Sequence, residues 1–144
     1  MENCTDGEAS CIFCKVIAGE APSTKVYEDE HVFVTLDIHP INEGHTLVIP
    51  KKHVSSFHDM EDDLYHKVFT AVKKVANTLK KTVQNEHVGL AISGFDVNHT
   101  HVHVVPLMDK HDLTSQKALN DTKPQFTVQE RQATAEKIKS ALNL

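Results

Sequence analysis

The stretch Val97–Pro106, VNHTHVHVVP, sets His99, His101 and His103 at alternate positions among residues that otherwise read as a buried strand. Residues i, i+2 and i+4 of a strand point to one side, so the three imidazoles share a face while Val102 and Val104 turn toward the core. Three readings of such a face are open. The histidines are solvated surface residues, which the flanking valines and Pro106 argue against. Or they bind metal, because neutral imidazole is the commonest protein ligand for zinc. Or they carry nucleophilic catalysis at phosphorus, one imidazole attacking while its neighbours hold its tautomer and donate to the phosphoryl oxygens. Periodicity does not choose between the last two.

Upstream, CIFCKVIAGE carries Ile12, Phe13, Val16 and Ile17 at the spacing of one face of a short helix, with Gly19 as its stop. TKVYEDEHVFVTLDI reads as two extended segments, Lys25 to Glu28 and His31 to Asp37, around an Asp-containing turn. NEGHTLVIPKKH supplies a turn at Asn42 to Gly44, a strand from His45 to Ile49 and a proline that ends it. From Asp59 to Thr82, Leu64, Val68, Phe69, Val72, Val75, Ala76 and Leu79 recur at three- and four-residue steps, predicting a long amphipathic helix. HVGLAIS and the histidine run are two further strands joined by GFDVN. The tail has a Thr127 to Glu130 capping-box pattern and helical spacing at Ala133, Ile138 and Leu142. These elements predict an α+β fold: a five-stranded antiparallel sheet with a short N-terminal helix, one long amphipathic helix and a C-terminal helix.

The chain of 144 residues is long enough for one domain that buries roughly two thirds of its unfolded surface. The first ten residues, polar and acidic, are expected to be flexible, with a single domain over residues 11–144. Fifteen Lys and Arg stand against 20 Asp and Glu, a formal charge of −5, and no basic run is interleaved with aromatics, so a nucleic acid polymer is not an expected partner. No apolar run has the roughly 20 residues of a membrane span, and the opening lacks the basic-then-apolar order of a secretory signal, so the expected location is cytoplasmic. Cys4, Cys11 and Cys14 all lie near the N-terminus. An odd number in a reducing compartment argues against a disulfide framework and leaves inert thiols or metal binding.

In order and spacing, CIFCKVIAGEAPSTKVYEDEHVFVTLDI, GHTLVIPKKH and HTHVHVVP resemble the histidine triad (HIT) family, small homodimeric nucleotide hydrolases and nucleotidyl transferases marked by His-x-His-x-His. The resemblance covers residues 11–107. It implies a HIT-like fold, a homodimer, and His101 as the nucleophile on the α-phosphorus of a purine nucleotide or nucleotide conjugate. His103 and His99 would contact or orient the phosphate and the nucleophile, and His45 would stand behind them in a hydrogen-bonded relay. The resemblance further implies an apolar base slot from Ile12, Phe13, Val16, Ile38 and Leu47, with Asp37 accepting the ribose hydroxyls. The plain alternatives are ordinary core for the apolar group and a turn residue for Asp37. The long amphipathic helix, with more apolar surface than one small sheet covers, supports the dimer on independent grounds.

Many family members carry Gly-Gln-Ser/Thr-Val before the triad, whereas this chain has the shorter SGFDVN, with Phe95 at the glutamine position and Asp96 at the hydroxyl position. Gly94 and Val97 match, and some bacterial members have a similarly short loop. Asp96 and Val97 are therefore expected at the nucleotide, Asp96 facing a histidine, a leaving-group amine or ribose because a carboxylate repels phosphate. Cys11 and Cys14 form a C-x2-C pair, which on spacing alone fits either zinc or two buried thiols. Some family members hold structural zinc through this pair, the histidine ending IPKKH and the first histidine of the triad; the matching residues are Cys11, Cys14, His53 and His99. The resemblance thus implies a structural, non-catalytic zinc.

The leading functional expectation is hydrolysis of nucleoside phosphoramidates or related nucleotidyl phosphoanhydrides through a covalent nucleotidyl-histidine. A nucleotidyl transferase, a nucleotide-binding interaction module with incidental catalysis, and a metal-dependent hydrolase with zinc on the three histidines are the alternatives.

Overall fold

The computed structural model describes residues 10–114 and 125–142. The expected flexible N-terminus and Cys4 fall almost wholly outside that range. Helix α1 spans Ile12–Ile17 and is capped by Gly19 at φ +79°, a backbone region open to glycine at little cost. Strands β1 (Lys25–Glu28), β2 (Val32–Leu36) and β3 (Thr46–Pro50) follow. Helix α2 spans Asp62–Thr82, β4 spans His87–Ala91, β5 spans Val102–Leu107 and α3 spans Val128–Ala141. The sheet order is β1-β2-β3-β5-β4 and every pairing is antiparallel. Among the described residues, no helix is long and apolar enough to cross a membrane.

The two faces of the sheet have separate duties. Val26, Val32, Val34, Leu36, Val48, Val102 and Val104 pack with Val68, Val72, Val75 and Leu79 of α2 and with Ala135 and Ile138 of α3 in one buried cluster. Alternation then sends Phe33, Leu47, Ile49 and His103 to the opposite face, where His103 lies in register with Leu47 of β3 and Ala91 of β4. The valines therefore bury one face of β5 and leave His103 half-buried on the other.

The structure departs from the sequence reading in several details: β2 is one residue shorter at each end than His31 to Asp37, and β3 runs one residue later than His45 to Ile49 and includes Pro50. The long helix begins at Asp62 rather than Asp59, because a 3-10 turn at Phe57–Asp59 ends in an extended Met60 whose side chain turns into the core. In α3 the capping box forms as expected, but Ala133 is exposed and the buried face consists of Thr134, Ala135 and Ile138. Most consequentially, β5 starts at Val102, so His99 and His101 precede the strand. Strand periodicity therefore does not hold all three imidazoles on one face. The apolar stripe of α2 is covered by the sheet and by α3 of the same chain, which removes surplus helix surface as an argument for a dimer.

Candidate functional site

The three histidines separate into two neighbouring centres. At the first, the C-x2-C spacing places Cys11 as the N-cap of α1 and Cys14 within its first turn; against the expectation of reduced cysteines, Cys14 is disulfide-bonded here and only Cys11 is a free thiol among the described residues, so Cys14 would serve as a metal ligand in its reduced form. His99 is fully buried, with its Nδ1 3.4 Å from Cys11 Sγ and 3.5 Å from Cys14 Sγ. His53 Nδ1 lies 3.4 Å from Cys14 Sγ. The four ligand atoms of Cys11, Cys14, His53 and His99 fall within 4.8 Å of one another. A tetrahedral zinc with Zn–S near 2.3 Å and Zn–N near 2.05 Å has S···N edges of about 3.6 Å, so the spacing suits that ion. The tautomer suits it too. His99 Nε2 lies 2.8 Å from the carbonyl of Pro50, so its N–H donates there and the Nδ1 lone pair is left for a ligand bond.

The second centre follows two residues later along the backbone. The carbonyl of His99 accepts the Nδ1–H of His101 at 2.7 Å, which in the neutral ring places the lone pair on Nε2. His101 is buried, and its ring centroid lies 4.9 Å from that of the half-buried Phe13, the two planes 67° apart. Its ring centroid is 5.0 Å from that of His103, so these two histidines share a side. Thr100 donates both its N–H and its hydroxyl to the carbonyl of Val54, at 2.8 and 2.7 Å, which fastens the segment leading into His101.

Behind His103 stands His45, almost fully buried. The backbone N–H of Ile41 donates to His45 Nδ1 at 3.0 Å, so the neutral ring carries its proton on Nε2. That proton is donated to His103 Nδ1 at 2.9 Å, and His103 in turn keeps its own proton on Nε2 as an outward donor. Asp37 joins them, Oδ2 lying 3.4 Å from His45 Nε2 and 3.6 Å from His103 Nδ1. Its other oxygen accepts the N–H of His39 at 2.8 Å in the turn that opens DIHP. Asp37, His45 and His103 also present three potential ligand atoms within 4.8 Å of one another. The proton that Ile41 enforces on His45 Nε2 makes that atom a donor rather than a ligand, so the hydrogen bonds do not suit a metal there.

The remaining expected residues divide by exposure. Val16 and Leu47 are buried, Phe13 is half-buried, and Ile12 and Ile38 are exposed at 46% and 60%. Val97 is half-buried, whereas Asp96 is exposed and, among the described residues, forms no ion pair with a histidine. Phe95 is 95% exposed. The approach of Asp37 to the histidine pair was not read from the sequence; DIHP shows only a turn, and the contact forms through the β2–β3 connection.

A five-stranded antiparallel sheet with a cysteine–imidazole cluster joined through one peptide carbonyl to a set of linked histidines defines a class of small α+β proteins with a histidine-lined site. The chain belongs to the HIT family, whose domain model matches residues 18–110. An uncharacterized HIT-like protein of Methanocaldococcus jannaschii is 48% identical over 103 residues, 67% of this chain and 78% of that one. An adenosine 5'-monophosphoramidase of Candida albicans is 38% identical over 111 residues, 71% of this chain and 73% of that one. The crystal structure of a Zn-bound histidine triad family protein from Mycobacterium smegmatis matches with a TM-score of 0.76 at 28% identity, covering 94% of this chain and 95% of that one.

Proposed function

We propose that this chain hydrolyses purine nucleoside phosphoramidates, or related nucleotidyl phosphoanhydrides, through a covalent nucleotide on His101. The observation that carries the reading is the 2.7 Å bond from His101 Nδ1–H to the His99 carbonyl, which in the neutral ring places the lone pair on Nε2. In the first half-reaction the Nε2 lone pair forms a bond to the α-phosphorus. The phosphorus–nitrogen bond to the leaving group breaks, and that nitrogen takes the electron pair and a proton from solvent. Water then attacks the phosphorus, the bond to Nε2 breaks with its pair returning to the ring, and the surplus proton of water passes to solvent. His103 Nε2–H donates to a phosphoryl oxygen in both steps, its orientation maintained by His45.

The base would lie between α1 and the β2–β3 connection, over Ile12, Phe13 and Ile38, with Val16 and Leu47 as the floor and Asp96 and Val97 at the rim. Exposed apolar Ile12 and Ile38 support that slot. Asp37 is close enough to the relay to accept a ribose hydroxyl while facing His45. We further propose that Cys11, Cys14, His53 and His99 hold a structural zinc, and that edge strand β4, with Leu90 47% exposed, pairs two chains into a homodimer.

The test is a covalent trace. During turnover of adenosine 5'-phosphoramidate, mass spectrometry under neutral or alkaline quench is expected to find nucleoside monophosphate attached at His101. His101→Ala is expected to lack the adduct and to lose several orders of magnitude in kcat while still binding the nucleotide. Turnover by a folded His101→Ala within about tenfold of the parent would overturn the assignment.

A further inference from the structure

We propose that Asn42 is a positioning residue: it ties the Ile41–His45 loop to the far end of β5 and so keeps the His45 proton on Nε2, aimed at His103. The inference rests on the relay role given to His45 above. Asn42 lies in a turn that the sequence marks only by its Asn and Gly. Yet it is 7% exposed, and both of its amide hydrogens are used over long range. Nδ2 donates to the carbonyl of Pro106 and to Asp112 Oδ2, each at 2.8 Å.

Asp112 is itself buried, and the same Oδ2 collects the N–H groups of Met108 at 2.7 Å and Asp109 at 3.0 Å. This carboxylate makes the turn after β5 into a fixed anchor. Pro106 is only three residues beyond His103 on the same strand, so the anchor and the relay acceptor move as one body. At the other end, the Asn42 carbonyl accepts the N–H of His45 at 3.1 Å, and the neighbouring residue Ile41 donates its N–H to His45 Nδ1. Asn42 thus joins the donor that sets the His45 tautomer to the strand that carries its acceptor.

The direction of the relay depends on that link. If Ile41 N–H leaves Nδ1, the His45 proton is free to move there, and Nε2 then becomes an acceptor. His103 must donate from Nδ1 in response, and its Nε2 turns a lone pair rather than a proton toward the phosphoryl oxygen. A donor becomes a repulsive group without any change in the histidines themselves.

Asn42→Asp tests this with little change of shape, since it replaces the donating amide by an oxygen facing the Asp112 carboxylate and the Pro106 carbonyl. The ring nitrogens of His45 are to be followed by 15N NMR near pH 8, where a free imidazole is neutral, with signals assigned by their loss in His45→Gln. In Asn42→Asp we expect a mixture of His45 tautomers in place of one, a fall in kcat of about a hundredfold on adenosine 5'-phosphoramidate, and an altered pH profile of kcat. Should Asn42→Asp fail to fold, Asn42→Ser, which keeps one donor, replaces it with the same expectation on a smaller scale. A folded variant whose His45 nitrogens are unchanged, or one that loses stability with kcat within about threefold of the parent, overturns the proposal. Because the NMR signature requires no turnover, a parent protein without phosphoramidase activity would sink the proposed function alone.

Discussion

Ile138 offers a direct measure of how α3 completes the core. Its side chain is fully buried in the cluster that includes Val26, Val72 and Val75, so Ile138→Ala removes three carbons from a place with no solvent to refill it. Their transfer is worth about 2.4 kcal/mol at about 0.8 kcal/mol per methylene. A void of about 80 Å³ adds up to about 2 kcal/mol at about 24 cal/mol per Å³ if nothing relaxes. Partial collapse brings the expected loss to about 3 kcal/mol, inside the range of such substitutions. For a chain of 144 residues that is a fall in Tm of about 10 °C. Urea unfolding followed by circular dichroism is expected to show the midpoint moving with an unchanged m-value. Ala133→Ser, on the exposed side of the same helix, is expected to stay within about 0.5 kcal/mol. A loss under about 1 kcal/mol for Ile138→Ala would refute the packing of α3 against α2 and β1 and would return the apolar face of α2 to a partner chain.

If the Cys11, Cys14, His53 and His99 cluster holds zinc, protein purified under reducing conditions is expected to contain about one ion per chain, and Cys14→Ser is expected to lose the metal and melt at lower temperature. Metal-free protein that is fully stable as purified would refute the site. Asp29 makes a pH-dependent contribution at the β1–β2 turn. Burial alone raises its pKa, but the backbone N–H groups of His31 and Val32, aided by the Tyr27 hydroxyl, bring it below the usual value. A carboxyl with a folded pKa below its unfolded one adds stability above the unfolded value, near 3.9, and loses it as pH falls through the folded value. The stability gap between the parent and Asp29→Asn is therefore expected to be constant above about pH 5 and to close below about pH 4. A gap that stays constant down to about pH 2 would remove Asp29 from the account.

Local periodicity determined much of this fold. The three- and four-residue steps of α2, the alternation of Val102 and Val104, the glycine stop of α1 and the Thr127–Glu130 capping box each depend on contacts within a turn or along one strand, and the structure contains them all. The C-x2-C pair was visible for the same reason, because one helical turn brings its two sulfurs together. What only the tertiary structure decided is how the histidines divide. A two-residue period governs direction only while the backbone is extended, and β5 begins at Val102, so His99 is released to the cysteines of α1 while His103 keeps the strand's face. The approach of Asp37 to His45 and His103, and the bridge from Asn42 to Pro106 and Asp112, were equally hidden. The Asn42 bridge joins residues 64 and 70 positions apart, a distance over which no local pattern carries information; the antiparallel pairing of β3 with β5 brings them within a hydrogen bond.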